Sequence, residues 1–394
     1  MPFTGVSAMD RKREFVRLAL AEGVNRRELC RRYGVSPTLG YRLLARYLAE
    51  GETGLEERSR RPRGSPGLTP ATVEAEVLAL RAEHPAWGGR KISAVLARRG
   101  VKAPAPSTVT DILRRHGVEL GAFGGGHATL TRFEHERPND LWQMDFKGHV
   151  PMRRGRLHPL TVLDDHSRFN LVLAACADET ANTVRICLVE AFRRYGLPWR
   201  ITTDNGPPWG NGPGSPYTGL GVWLMEQDIR VGHSRPYHPQ TQGKDERFHR
   251  SLKAEALSGP PFEDIDQAAR HLARWRTVYN TERPHEALGL KTPIERYSPS
   301  PRPYREQIEP FPYLPDDQLR RVDDTGRISF RGRTCRVAKA FEGKSVALRP
   351  TQTDGVHDVI FRAHHITTID RRRSMVHPQP VTDVSAHPSR MSPV

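Results

Sequence analysis

The segment Leu-Trp-Gln-Met-Asp at 141–145 decides the fold and the chemistry that this chain is expected to have. Its apolar residues predict a buried strand, and the strand ends in an acid, Asp145. Ile-Thr-Thr-Asp-Asn-Gly at 201–206 predicts a second strand that ends at Asp204, and Gly-Lys-Asp-Glu-Arg-Phe-His-Arg at 243–250 predicts a helix that carries Glu246 among cations. A buried carboxylate costs free energy unless a cation compensates for it. We therefore expect three acids from three separate elements to hold divalent cations.

Each acid also has an ordinary explanation. Asp145 could pair with Lys147, Asp-Asn-Gly at 204–206 is a common turn, and Glu246 could be a solvated helix residue. The combination favours a metal site, because converging carboxylates repel one another by about 4 kcal/mol per pair at close range. Mg²⁺, or Mn²⁺ in its place, suits an all-acid site, and two ions about 3.5–4 Å apart serve phosphodiester cleavage. Arg250 and Lys253 share the helix face of Glu246 and could hold DNA phosphates.

The composition indicates a nucleic-acid partner. The chain has 394 residues, 61 Lys and Arg against 45 Asp and Glu, and a formal net charge of +16. No apolar run is long enough to span a bilayer and no signal-peptide pattern is visible, so we expect no membrane association and a cytoplasmic, nucleoid-associated protein. Four scattered cysteines, at 30, 176, 187 and 335, predict buried thiols and neither a disulfide framework nor a zinc site.

The first 120 residues predict two helical DNA-binding domains. In residues 1–57, a short helix from Glu28 to Tyr33, a turn at Gly34 and a second helix opening at Ser36-Pro37 match a helix-turn-helix. An ordinary αα-hairpin remains the alternative, although the surrounding arginines favour DNA binding. Residues 58–69 predict a basic linker that tracks phosphates or is simply solvated. Residues 70–120 predict a second helix-turn-helix-like domain, or else a plain helical bundle, and 121–134 another linker.

The periodicity changes after residue 135. Strands are predicted at 141–146, 157–164, 169–176, 201–203 and 229–233, and helices at about 180–194, 242–256 and 264–279. This order predicts a mixed α/β domain over 135–300. A Pro-rich linker at 301–318 follows, then short alternating runs over 319–371 that predict a small β-barrel of about five strands, and then a disordered tail at 372–394.

Five segments together resemble one known family. They are Trp-Gln-Met-Asp-Phe-Lys at 142–147, Val-Leu-Asp-Asp-His-Ser-Arg-Phe at 162–169, Thr-Asp-Asn-Gly at 203–206, His-Pro-Gln-Thr-Gln-Gly-Lys-Asp-Glu-Arg-Phe-His-Arg at 238–250, and Tyr-Asn-x-x-Arg-Pro-His-x-Ala-Leu-Gly at 279–289. The set resembles the integrase core of bacterial insertion-sequence transposases, which are DDE transposases similar to retroviral integrases. The resemblance implies a ribonuclease-H-like core whose catalytic and metal-binding triad is Asp145, Asp204 and Glu246.

The resemblance also implies a function and partners. The protein would bind the terminal inverted repeats of an insertion sequence and would catalyse metal-dependent 3′-end cleavage and strand transfer into target DNA, as a homo-oligomer on double-stranded DNA. Asp245 stands where the family usually has a small apolar residue, and we keep Glu246 as the acid of the 245–246 pair that faces the metal, because Arg-Phe-His-Arg follows it. Asp164 and Asp165 are interpreted as structural. The residues predicted to contact DNA are Arg42, Arg46, Arg60, Arg61, Lys244, Arg247, Arg250 and Lys253.

Two other functions fit parts of the sequence. A regulatory protein or an inactive transposase remnant would bind the element ends without cutting them, although acids at all three positions argue against it. A tyrosine recombinase would need a tyrosine nucleophile after an Arg and His cluster, and Tyr297 does follow Arg283 and His285. That spacing is short, and the three acids would then be unexplained. We instead expect Asn280, Arg283 and His285 to brace helices, with Arg283 a possible DNA contact.

Overall fold

The chain forms two compact units, Met1–Leu68 and Thr69–Val394, in a computed structural model that describes residues 7–58, 68–119, 134–210, 216–233 and 243–370. The predicted linkers at 58–69 and 121–134 and the predicted tail lie almost entirely outside these ranges, whereas the predicted Pro-rich linker at 301–318 lies within them. Arg60 and Arg61 also lie outside the described ranges, and their predicted DNA contacts therefore stay predictions. Within the described ranges, no helix combines the length and the apolar character needed to cross a bilayer.

The first unit has the predicted helix-turn-helix. Its helices are α1 (Ala8–Ala19), α2 (Arg26–Arg32) and α3 (Pro37–Glu50), followed by a 3₁₀ turn at Gly51–Leu55. Ser36 caps α3 by accepting a hydrogen bond from the backbone N–H of Leu39, as the sequence predicts. Gly40 is required where α3 crosses α2, because a Cβ there would lie 2.4 Å from Cys30 Sγ. The close crossing buries a compact three-helix core and leaves the outer face of α3 exposed.

The second unit opens with the predicted second helical domain, formed by α4 (Ala71–Glu83), α5 (Gly89–Arg98) and α6 (Pro106–Arg115). Its core contains Val77, Trp87, Ile92 and Leu113, and Val278 of the following domain packs against it. Arg98 donates to the carbonyl oxygen of Leu290. This helical domain is therefore docked on the α/β domain.

The centre of the second unit is the predicted mixed α/β sheet. Its strands are β1 (Trp142–Phe146), β2 (Val150–Pro151), β3 (Arg156–Asp164), β4 (Asn170–Cys176), β5 (Arg200–Thr203) and β6 (Arg230–His233). The main order is β4-β3-β1-β5-β6. The first three strands pair antiparallel, whereas β1, β5 and β6 run parallel. Only the two-residue β2, which pairs with the start of β3, lacks a counterpart among the predicted strands.

Helices cover both faces of this sheet. They are α7 (Ala181–Tyr195), α8 (Gly219–Glu226), α9 (Gly243–Leu252), which continues into a π-type turn at Lys253–Leu257, and α10 (Ile265–Thr281). Trp142 and Met144 of β1 pack with α7 and α8 in one apolar cluster. Phe248 of α9 and Trp275 of α10 belong to a second cluster on the other face. Because side chains alternate along a strand, Gln143 and Asp145 must point to the α9 side.

The expected C-terminal β-barrel is not observed. β7 (Gln318–Arg321), β10 (Ser345–Pro350), β11 (Val356–Phe361) and β12 (His364–Asp370) form an open four-stranded sheet, and β8 (Arg327–Phe330) and β9 (Arg333–Arg336) form a separate hairpin. The sequence gives the strands but not their closure, because closure depends on pairing between the first and last strands. The sheet instead covers its apolar face with α8, through Val222 and Met225.

Candidate active site

Asp145 and Asp204 meet at one edge of the central sheet. Asp145 is the next-to-last residue of β1, and Asp204 directly follows β5. The two strands are parallel neighbours in the register Trp142↔Ile201 and Gln143↔Thr202. Two further residues in this register bring Asp145 level with Asp204, and neighbouring strands lie about 4.8 Å apart. The carboxyl ends of parallel strands are a common place for a functional site.

The charges of these acids oppose one another. Burial and the nearby carboxylate of Asp204 raise the pKa of Asp145 to about 7. Burial also raises the pKa of Asp204. The backbone N–H of Gly206, which donates to Asp204 Oδ1 at 3.2 Å, opposes this rise only in part. Glu179 raises the pKa of both aspartates. The edge is thus a place where negative charge accumulates without enough compensation, which is typical of functional sites.

Glu179 was not predicted from the sequence. It lies in the loop between β4 and Thr180, the N-cap of α7, and its carboxylate contacts His158 Nδ1 at 2.8 Å. The antiparallel pairing His158↔Cys176 brings the end of β4 to the edge that carries Asp145. A polar residue directly after a buried strand is a usable signal, but the strand order has to be known before this acid can be placed.

His249 of α9 lies against Asp145. Thr161 Oγ1 donates its only proton to the carbonyl oxygen of Asp145 at 2.9 Å, so it must accept from His249 Nε2, also at 2.9 Å. Burial lowers the pKa of His249 to about 4, so its other nitrogen, Nδ1, carries a lone pair. Nδ1 lies 3.9 Å from Asp145 Oδ2. Two acceptor atoms therefore face each other, and a proton or a cation between them would relieve the contact.

The neighbouring acids Asp245 and Glu246 point in different directions. Asp245 is 4% exposed, and its buried Oδ1 has no hydrogen-bond partner among the residues that the structure describes. Burial, Asp145 and Asp165 hold the pKa of Asp245 well above its usual range. Glu246 is exposed on the outer side of α9. The structure thus brings Asp145 and Asp204 together and buries Asp245 near Asp145 and Asp165, whereas Glu246 lies at the solvent side.

The exposed side of α9 carries the cations predicted to contact DNA. Glu246, Arg247, Arg250 and Lys253 are all exposed, and their spacing places Glu246, Arg250 and Lys253 along one strip. Their DNA contacts stay predictions. Lys244 differs from these residues, because its side chain is only 19% exposed and forms an ion pair with Asp165.

Of the other arginines considered as DNA contacts, Arg42 is exposed, whereas Arg46 and Arg283 are engaged within the protein. Arg42 is exposed on α3, whereas Arg46 Nη2 donates to the carbonyl oxygen of Glu56 at 2.6 Å and so helps to hold its own domain together. Arg283 is 7% exposed, and its Nε donates to Glu255 at 2.9 Å. The side chain of Arg283 thus braces helices, as the sequence predicts, and does not lie at the surface.

Tyr297 is a poor candidate for a nucleophile. Its ring stacks on Phe169 at 4.2 Å between centroids, and its hydroxyl donates to Asn139 Oδ1 at 3.1 Å. Burial and Asp164 raise the pKa of Tyr297 far above its usual range. A nucleophilic tyrosine needs the opposite environment, so these contacts disfavour the recombinase hypothesis.

The fit of a divalent cation depends on the donor set. Asp145 and Asp204 offer hard carboxylate oxygens, and Mg²⁺ takes few carboxylates together with water and phosphate. The unrelieved repulsion between the two acids and the facing acceptor atoms at His249 both suit a cation. In the ranges that the structure describes, however, no three His, Cys, Asp or Glu side chains form a group arranged to hold a metal. Two residues fit the ion, and a third protein ligand is not assembled.

Family models match most parts of the chain. Two models described as integrase core domain match residues 135–239 and 227–293. A model described as the C-terminal domain of IS481 family transposases matches 317–377. A helix-turn-helix domain matches 11–63, and a homeodomain-like domain matches 39–113. These matches lie in the order predicted for the domains.

Three of the curated relatives come from bacterial insertion elements. A protein of insertion element IS407 from Burkholderia multivorans is 25% identical over 56% of this chain and 81% of its own length. A putative transposase of IS5376 from Geobacillus stearothermophilus is 22% identical over 61% of each chain. A protein of IS476 from Xanthomonas euvesicatoria is 29% identical over 40% of this chain, and the match spans only 44% of that relative.

Solved structures with partial similarity are retroviral integrases. The catalytic core domain of HTLV-2 integrase in complex with magnesium is 18% identical, with a TM-score of 0.32, and covers 41% of this chain and 99% of its own. A chain of the simian T-cell lymphotropic virus intasome in complex with PP2A regulatory subunit B56 gamma is 17% identical, with a TM-score of 0.38, over 77% and 98%.

Proposed function

We propose that this chain, which belongs to the insertion-sequence transposases with an integrase core, cuts the 3′ ends of its element and joins them to target DNA. The observation that carries the proposal is the meeting of Asp145 and Asp204 at the carboxyl ends of adjacent parallel strands, where each acid is half-buried and where burial and neighbouring carboxylates raise its pKa. Acids held in this way at the edge of a sheet in a basic protein are suited to phosphodiester chemistry.

The reaction consists of two in-line displacements at phosphorus. A water oxygen attacks the phosphate at the element end, the P–O3′ bond breaks, and the departing 3′ oxygen takes up a proton. The new 3′-hydroxyl oxygen then attacks a target phosphate and displaces a target 3′ oxygen. One ester bond forms for each one that breaks in the second step, so no energy source and no covalent protein intermediate are needed.

Asp145 and Asp204 would hold one or two divalent cations, and Glu246 would complete the set. When bound, Mg²⁺ or Mn²⁺ would activate the attacking oxygen and stabilise the leaving one. The cationic strip with Arg250 and Lys253 would hold the DNA backbone beside the acids. His249 is neutral, so it would leave the negative charge of Asp145 free for the cation.

DNA recognition would come from the helical domains and the C-terminal hairpin. The exposed face of α3 with Arg42 suits the major groove. In the hairpin, Arg327 lies directly opposite Arg336, and Arg331 occupies the turn with φ of 50°. Like charges placed opposite each other destabilise a strand pair, so an anionic partner such as a DNA phosphate would stabilise the hairpin.

A strand-transfer assay tests the proposal. Duplex DNA with an element end and a supercoiled target would be incubated with the full chain and Mn²⁺. Variants Asp145→Asn, Asp204→Asn and Glu246→Gln should lose activity while keeping DNA affinity, and Asp245→Asn should have a milder effect. Asp266→Asn, which changes an exposed acid on α10, is the matched control.

The alternative is an end-binding protein without nuclease activity. If the wild-type chain binds end DNA tightly but gives neither cleavage nor joining with Mg²⁺ or Mn²⁺, this alternative replaces the proposal. Activity that survives Asp145→Asn or Asp204→Asn would also refute the assigned chemistry.

A further inference from the structure

Lys244 joins the start of α9 to the central sheet. Its Nζ contacts Asp165 Oδ1 and lies 3.4 Å from the carbonyl oxygen of the same residue, which is 79 positions earlier in the chain. Asp165 directly follows β3 and has a side chain that is 1% exposed. The pair therefore forms a buried connection between the first turn of α9, which carries Glu246, and the end of a central strand.

The carboxylate of Asp165 is fixed independently of Lys244. Gln143 Nε2 of β1 donates to its Oδ1 at 2.9 Å, and the backbone N–H of His135 donates to its Oδ2 at 2.9 Å. The backbone N–H of Asp165 donates to the carbonyl oxygen of Leu141, also at 2.9 Å. Strand β1, which carries Asp145, thus sets the position of the acceptor on which Lys244 docks.

Lys244 also balances charge at this place. Asp165 and Asp245 are both buried, and Lys244 and Arg168 are the cations that lower the pKa of Asp245. Arg168 is already engaged, since it donates to the carbonyl oxygen of Asp165 and to Glu134. Without Lys244, a buried carboxylate would lose its ion-pair partner next to the catalytic edge, which is strongly unfavourable.

We propose that Lys244 is a positioning residue, whose ion pair with Asp165 fixes the first turn of α9, and thereby the positions of Asp245 and Glu246, relative to the sheet edge that carries Asp145 and Asp204. This proposal rests on the proposed transposase function, because it assigns Lys244 to the same site. It replaces the sequence-based interpretation of Lys244 as a phosphate contact. Lys244 is turned inward, whereas Arg247, Arg250 and Lys253 are exposed.

The experiment uses the full chain with Lys244→Met, Lys244→Arg, Asp165→Asn and the double variant Lys244→Met/Asp165→Asn. Exposed Lys291, changed to Met, is the matched control for the loss of one lysine. Four quantities are measured: the Tm without metal, the midpoint of the Mn²⁺-induced Tm shift, the Kd for end DNA at two salt concentrations, and the strand-transfer rate at saturating DNA.

Lys244→Met and Asp165→Asn each remove one charge of the ion pair. Each should lower the strand-transfer rate at saturating DNA roughly 10- to 100-fold and raise the Mn²⁺ midpoint by a similar factor, which is the usual effect of losing a residue that orients a metal ligand. The Kd for DNA should stay within about threefold. Because the two residues act as one unit, the double variant should be no worse than the worse single variant, and Lys244→Arg should recover part of the rate. Lys291→Met should behave like the wild type.

Other outcomes would overturn the proposal. If Lys244→Met weakens DNA binding and lowers the salt slope by about one while Asp165→Asn does not, Lys244 is a phosphate contact. If the losses in Tm and rate from the two single variants add up fully in the double variant, the ion pair has no coupled role. A wild-type chain inactive on end DNA would refute the proposed function instead, and the Tm cycle and the Mn²⁺ midpoint would still decide the role of Lys244.

Discussion

Asp145→Asn should stabilise the metal-free protein while it abolishes activity. The pKa of Asp145 is raised from 3.8 to about 7, mainly by burial and by repulsion from Asp204. A raised pKa of an acid means that the folded chain holds a proton that the unfolded chain has released. Three pKa units at about 1.4 kcal/mol each give an upper limit of about 4 kcal/mol of destabilisation. Because 28% of the side chain is exposed and water screens its charge, we expect roughly 2 kcal/mol.

The sign of this effect fixes its pH dependence. Below pH 3.8 both states are protonated and Asp145 costs nothing. Between pH 3.8 and 7 the cost grows with pH, and above pH 7 it is complete. An asparagine at 145 has no charge to bury, so the variant should be more stable than the wild type by about 1 kcal/mol at pH 5 and by about 2 kcal/mol at pH 8.

The assay is denaturant unfolding in EDTA at pH 5 and pH 8, followed by the fluorescence of tryptophans such as the fully buried Trp142. Excess Mn²⁺ should stabilise the wild type and leave Asp145→Asn nearly unchanged, which would reverse or remove the difference. In a chain that already carries Asp204→Asn, the gain from Asp145→Asn should shrink, because one source of repulsion is gone. The reasoning is refuted if Asp145→Asn destabilises the chain in EDTA at pH 8, or if the difference is the same at both pH values.

Three further predictions concern other parts of the chain. Burial lowers the pKa of Lys91 from 10.5 to about 8, so Lys91→Met should stabilise the chain by roughly 1–3 kcal/mol at pH 7 and by nothing above pH 10.5, as compared in denaturant unfolding at both pH values. Gly40→Ala places a methyl group 2.4 Å from Cys30 Sγ, which should cost about 1–3 kcal/mol and weaken end-DNA binding, measured by thermal unfolding and a DNA titration. Tyr217→Phe removes the 2.9 Å hydrogen bond to the carbonyl oxygen of Ile366 and should cost about 1–2 kcal/mol, seen as faster proteolysis of the C-terminal sheet.

The sequence was sufficient wherever the deciding interactions are local. Ser36 caps α3 at the predicted place, and an apolar run ending in an acid correctly predicts the strand that contains Asp145. The parallel pairing of β1 with β5 is what brings Asp204 beside Asp145, and it joins segments that are far apart in the chain. The residue types alone suggest that these acids share a cation site, but which strands pair, and so how the acids meet, is decided by these long-range contacts.

The sequence was insufficient wherever a side chain is decided by a distant partner. Lys244 looks like one more cation on a basic helix, but its contact is Asp165, 79 positions away. Asp245 and Glu246 are adjacent in the chain and equally acidic, and only the packing of α9 on the sheet separates a buried acid from an exposed one. The predicted barrel is not observed for a related reason. Its closure would need long-range strand pairing, whereas the strands form an open sheet whose apolar face is covered by α8.

The segment before α8 connects the sheet edge that carries Asp204 to the C-terminal sheet through a short series of contacts. His233 contacts the carbonyl oxygens of Asp204 and Pro216 at 2.9 and 3.1 Å. Tyr217, which directly follows Pro216, belongs to the core of the C-terminal sheet and donates to the carbonyl oxygen of Ile366. Asp204 and the C-terminal sheet are therefore held by neighbouring residues of one segment, so the sheet cannot shift on α8 without disturbing contacts that lead to the active-site edge. Under the proposed function, DNA bound at the β8–β9 hairpin with its arginines would therefore lie in a fixed position relative to Asp204 and would not be held on a flexible arm.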